Sequence, residues 1–122
     1  MKPLFIDETD VTPKVIFTLD GILSIQGRSM PLDAAGFYHP VQSWVKELTL
    51  SEIHLLFRIE YLNTKSAIQL YTILQSLQDN ERVTSLHVDW YYEEDDEDIY
   101  DIGLKFESLL QIPFNFYVYV EK

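Results

Sequence analysis

The sequence predicts a mixed α/β fold, and three observations predict it: strands with two-residue alternation of apolar side chains, helical stripes set between them, and enough apolar content for one packed core. Hydrophobic residues make up 47% of the 122-residue chain and aromatics 14%, which offsets the conformational entropy lost on folding. A chain of this length falls in the commonest range for one domain and is short for two cores. Residues 1–122 are therefore read as a single domain.

Leu4 to Ile6 is a candidate short strand at the start. Val15, Phe17 and Leu19 then alternate, and Asp20-Gly21 reads as a two-residue turn before Ile22, Leu23 and Ile25, the pattern of a hairpin. Residues 28–36 are rich in Gly, Pro, Ser and Asp and read as a loop. Phe37, Val41, Trp44, Val45 and Leu48 follow at helical spacing, with Pro40 expected in the first turn or at a kink.

From Ile53 to Leu62 the chain reads as a strand with Ile53, Leu55, Phe57, Ile59 and Tyr61 on one face and His54, Arg58 and Glu60 on the other. Ala67, Leu70, Tyr71, Leu74 and Leu77 form the stripe of a second helix, ended by Asp79-Asn80. Val83 to Tyr92 is a further strand, with Leu86, Val88, Trp90 and Tyr92 opposite Ser85, His87 and Asp89. Ile99, Ile102, Phe106, Leu109 and Leu110 mark a third helix that Pro113 stops, and Phe114, Phe116, Val118 and Val120 close the chain as a strand. Helices set between strands require crossovers, so the later strands are expected parallel within a mixed sheet. The polar face of the middle strands predicts helices mainly on one face.

Twenty acidic residues against nine basic ones give a formal net charge of −11, which repels nucleic-acid backbones and anionic membrane surfaces and favours cationic protein partners. There is no cysteine, which removes disulfides, thiolate metal sites and cysteine nucleophiles. The start turns acidic at Asp7-Glu8 before any signal-length apolar run, and no stretch of about 18 apolar residues occurs. A cytoplasmic protein without membrane insertion is the expectation.

Four features invite chemistry. Glu93-Glu94-Asp95-Asp96-Glu97-Asp98 with Asp101 is dense enough to suggest a hard cation, and on it rests the alternative of a small metal-dependent enzyme. Yet the run lacks the glycine of a calcium loop and a distant acidic motif, so solvation of a loop and of a helix start explains it better. His39, His54 and His87 match no metal or triad spacing. Gly21, Gly27, Gly36 and Gly103 are too scattered for a phosphate loop. These patterns point to no catalytic residue, metal or cofactor. The fourth feature is Tyr61-Leu62-Asn63-Thr64-Lys65-Ser66, where a strand runs into a helix. Asn63 or Thr64 suits an N-cap. A hydroxyl there also projects from the carboxyl end of a parallel strand, where phosphorylation would add about −1.5 to −2 charges. Spacing alone favours the cap.

Gly27-Arg28-Ser29-Met30-Pro31, Phe37-Tyr38 and Trp44, then Tyr61-Leu62-Asn63-Thr64 with Ser66, then Trp90 to Asp98 with Gly103 and Ile112-Pro113-Phe114 occur in an order and separation that resembles the SiaC-type bacterial regulatory phosphoproteins, whose fold is like that of the SpoIIAA anti-sigma-factor antagonists and other STAS domains. The resemblance implies a non-enzymatic, partner-switching protein. Its unphosphorylated form would bind and activate a diguanylate cyclase, and a dedicated kinase and phosphatase would control it. By motif, Thr64 would be the phosphoacceptor, with Asn63 shaping the turn and Ser66 supporting it or serving as a lesser acceptor. Tyr61, Leu62, Glu94, Asp95 and Asp96 are the neighbouring candidates for partner binding. Where such proteins commonly read Asn-Thr-Ser-Ser this chain has Lys65, which is expected to offset part of a phosphate's charge, and Pro31-Leu32-Asp33 replaces their Pro-Glu-Asn. An anti-sigma-factor antagonist of the same fold is the alternative.

Overall fold

The structure, a computed structural model, describes residues 1–120. Its elements run β1 Leu4–Ile6, β2 Lys14–Phe17, β3 Ile22–Ser29, α1 Ala34–Lys46, β4 Glu52–Leu62, α2 Thr64–Asp79, β5 Ser85–Glu93, α3 Glu97–Leu110 and β6 Phe114–Tyr119. The six strands form one sheet in the order β1-β2-β3-β4-β5-β6, antiparallel through β3 and parallel from β3 to β6. Each crossover moves one place in the same direction. Connections of the usual right hand therefore set all three helices on one face, as the polar strand faces predict. The strand order never reverses, so the sheet lacks the crevice that open α/β folds form at a reversal.

The core lies between that face and the helices. Leu23, Ile25, Leu55, Phe57, Val88 and Trp90 from the strands meet Val41, Val45, Leu70, Leu74, Phe106 and Leu110 from the helices, all buried. Trp90 anchors it, with its ring centroid 5.2 Å from that of Phe57 and 5.8 Å from that of Phe106, and its indole N–H donating to the Ile99 carbonyl at 3.0 Å. Gly103 lets α3 approach this ring, since a Cβ there would stand 2.6 Å from Trp90 Nε1. No helix among the described residues is long and apolar enough to cross a membrane.

Several local expectations are corrected. The hairpin loop has three residues, not two: Thr18 N–H donates to the Ile22 carbonyl and Gly21 N–H to the Thr18 carbonyl. Gly21 takes φ +90°, a conformation glycine adopts without steric cost, and Leu19 consequently leaves the strand and is exposed. β3 runs on to Ser29, so the following loop is shorter than residues 28–36, and α1 begins at Ala34 with Asp33 as its cap. Pro40 then lies in the second turn, and the helix continues through it. The lost bond is the one to the Gly36 carbonyl, and both residues are on the exposed side, where that oxygen is open to solvent.

Tyr61 does not share the core face of β4. Gly27 pairs with Ile59 and Arg28 with Tyr61, so Glu60 is an extra residue in β4. Such a bulge changes the side to which the following residues point. Tyr61 turns outward and is 53% exposed, and Leu62 turns in against the core. In α3 the buried stripe is Ile99, Gly103, Phe106 and Leu110, and Leu109 faces out. In β6 only Phe114 is buried; Val118, on this edge strand, and Val120, just past its end, are exposed.

Candidate functional site

The junction between β4 and α2 is built by Asn63. Its backbone is extended (φ −80°, ψ 167°), and its side-chain oxygen accepts from the Ser66 N–H at 2.9 Å, satisfying one of the donors that a helix start leaves open. The Asn63 carbonyl accepts from the Ala67 N–H, and the Asn63 N–H donates to the Ser29 carbonyl at the end of β3. Ser29 is itself fixed from behind, its buried hydroxyl 2.6 Å from the Tyr38 hydroxyl of α1. Burial pushes the Tyr38 phenol up to about 12, against a smaller lowering by the bond to Ser29.

Thr64 is the first residue of α2 and is exposed. It lines a largely apolar groove of about 410 Å³ between α2 and α3, together with Leu62, Ala67, Ile68, Tyr71, Ile102, Phe106 and Leu109 and the polar Asn63 and Lys105. Ile68 is 59% and Leu109 58% exposed, so the groove has apolar lips in contact with water.

The remaining sequence candidates distribute around this point. Lys65 is exposed and lines a separate hollow beside α1 with Leu32, Asp33 and Gln69. Ser66 is fully buried, and its hydroxyl has no hydrogen-bond partner, so a kinase cannot reach it in the folded chain. Leu62 lines the Thr64 groove, whereas Tyr61 lines a hollow with Arg28, Met30, Glu60 and Glu93. The bulge thus separates two consecutive candidates onto different surfaces.

Glu94, Asp95 and Asp96 occupy the loop before α3, along the same sheet margin as Thr64 but outside its groove. Asp96 caps α3, its side chain accepting from the Ile99 N–H at 3.0 Å, and Glu97 and Asp98 lie in the first turn, where carboxylates stabilise the positive end of the helix. No group of three or more His, Cys, Asp or Glu side chains suited to a metal ion occurs among the described residues. On the uncovered face of the sheet, His54 Nε2 meets the largely buried Asp89 carboxylate at 2.5 Å and Asn115 donates to its other oxygen at 3.3 Å. This face also stacks Tyr91 on Tyr117, with centroids 4.9 Å apart, and sets Arg58 4.2 Å over the Tyr119 ring. Sequence reasoning misses Lys105 and Ile68. The signal available for Lys105 is its place beside Phe106 in the third helical stripe.

No curated protein matches the chain. Similar solved structures include apo-SiaC from Pseudomonas aeruginosa, 26% identical over 96% of this chain and 99% of that one with a TM-score of 0.83, and the diguanylate cyclase SiaD in complex with its activator SiaC from the same organism, 26% identical over 95% and 99% with a TM-score of 0.85. The model of the family described as SiaC family regulatory phosphoprotein matches residues 6–119. With the six strands, three helices and strand-to-helix junction described above, the chain belongs to the SiaC family of regulatory phosphoproteins.

Proposed function

We propose that this protein is a non-enzymatic partner switch whose unphosphorylated form binds and activates a diguanylate cyclase, and whose phosphorylation at Thr64 blocks that binding. The family match and the likeness to a SiaC structure described as a cyclase activator support the reading. The observation that carries it to a residue is the position of Thr64: its side chain is exposed on a capped helix start and opens onto an apolar groove. A partner's apolar side chains gain by burial in such a groove. A phosphate at its mouth adds about −1.5 to −2 charges and must be desolvated whenever a partner closes over it. A serine/threonine kinase and a phosphatase set the two states. Asn63, Lys65 and Ser66 shape or flank the acceptor, and Leu62 belongs to the docking surface. Tyr61 and the acidic loop Glu94 to Asp96 extend that surface along the same margin of the sheet.

Phosphoprotein prepared with a cognate kinase, the unmodified protein, Thr64→Ala and Thr64→Asp are compared for cyclase binding by calorimetry and for cyclic-di-GMP production. Unmodified protein and Thr64→Ala should bind and activate, whereas the phosphoprotein should do neither and Thr64→Asp should be weakened. Phosphoprotein that activates as well as unmodified protein sinks the proposal.

A further inference from the structure

Two lysines lie near Thr64. Lys65 adjoins it in sequence, yet lines the hollow over α1 with Leu32, Asp33 and Gln69, and like Lys105 it has no carboxylate within 4.0 Å among the described residues. Lys105 comes from α3 and lines the groove that Thr64 opens onto. Lys105 is exposed, and among the described residues no carboxylate lies within 4.0 Å of its ammonium, although the chain carries 20 acidic residues. The groove that both side chains line is otherwise largely apolar, with Ala67, Tyr71, Ile102 and Phe106 among its walls. Apolar walls displace water, and less water strengthens the attraction between a phosphate and an ammonium that face each other.

We propose that a phosphate on Thr64 is held by Lys105 across the mouth of the α2–α3 groove, so that the modification closes the groove as well as charging its rim. This rests on Thr64 being the phosphoacceptor. The kinase transfers the γ-phosphoryl group of a nucleoside triphosphate to Thr64 Oγ: the bond from the γ-phosphorus to the bridging oxygen breaks, the Oγ–P bond forms, and the nucleoside diphosphate and the hydroxyl proton leave. Lys105 then supplies up to three N–H donors to the phosphate oxygens. The lysine next in sequence is a bystander, and the one that answers the phosphate is contributed by another helix. Partner exclusion follows from two effects of one bond: the rim cation is neutralised, and α2 and α3 are strapped together over the apolar floor.

The test needs no kinase. Phosphothreonine is incorporated at position 64 of the full chain during translation, and the phosphate is titrated by ³¹P NMR in the otherwise unchanged protein and in Lys105→Gln, Lys105→Arg and Lys65→Gln. A phosphomonoester ionises a second time near pH 6. The folded phosphoprotein should titrate roughly half a unit below the same protein in urea. Lys105→Gln should abolish most of that shift, Lys105→Arg should keep it, and Lys65→Gln should leave it in place. A titration that Lys105→Gln does not move, or that Lys65→Gln moves as much, overturns the pairing. Cyclase binding on the same samples separates the two readings. Blocked binding with no Lys105 effect removes only the strap, and an intact strap with undiminished binding removes only the switch.

Discussion

The N–H of Asn63 donates to the carbonyl of Ser29 across 3.0 Å, tying the start of α2 to the end of β3. The same asparagine turns its side chain forward to cap the helix, so one residue sets both the place and the direction of Thr64. Asn63→Ala should cost about 1 kcal/mol, as the loss of such caps does, and Asn63→Asp should recover most of it. Urea unfolding of the three proteins measures both.

Tyr38 supports that carbonyl from below through the Ser29 hydroxyl. Tyr38→Phe leaves the buried Ser29 Oγ without its partner and should destabilise by about 1–3 kcal/mol. In the double variant with Ser29→Ala part of that loss should return, because no buried donor is then left unmet. A thermodynamic cycle of the four proteins checks it.

The same phenol predicts an alkaline limit. Its folded value, about 12, lies above the ordinary phenol value of 10.0, so the fold favours the neutral form. Its contribution is fully present below pH 10, where both states are protonated. It is lost as pH rises from about 10 towards 12, where the unfolded chain releases the proton first. Stability of the unsubstituted protein should fall across that window more steeply than that of Tyr38→Phe, as read from urea midpoints at successive pH values.

Gly103→Ala should be disruptive although the change is one methyl group. The added carbon meets the Trp90 ring, which is itself fully buried. Overpacking of this kind costs about 1–3 kcal/mol, and tryptophan fluorescence should report the displaced indole.

Ile68→Asp and Leu109→Asp separate docking from folding. Both side chains are exposed on the lips of the groove, so stability should change by no more than about 0.5 kcal/mol. Cyclase binding should weaken at least tenfold, measured by calorimetry beside a melting curve for each variant.

Periodicity made the fold readable because it reports burial directly. Leu55 and Phe57, Leu70 and Leu74, Val88 and Trp90 are all buried as their spacing implies. The misplacements have local causes that periodicity does not encode. The extra residue at Glu60 inverts Tyr61, the left-handed Gly21 lengthens a turn, and Val118 lies exposed on an edge strand. At the site, the cap was readable because Asn followed by a helical stripe is a local signal. The burial of Ser66 and the sharing of one groove by Thr64 and Lys105 were not, since both depend on how the helices pack. The acidic run illustrates the same division: its composition suggests a cation, and its geometry is that of a helix cap with two carboxylates in the first turn.

Every hydrogen-bonded neighbour in the sheet is also the next strand in sequence. A nascent chain can therefore lay each strand onto an edge that already exists, without holding a gap open for a segment yet to be made. By the time α2 docks, the Ser29 carbonyl and the Asn63 cap are in place and Thr64 is displayed. The opposite wall of its groove, with Lys105, arrives only with α3. Acceptor and facing wall are thus separate instalments of the chain, and a sequence cut before α3 would present the threonine without the groove it opens onto.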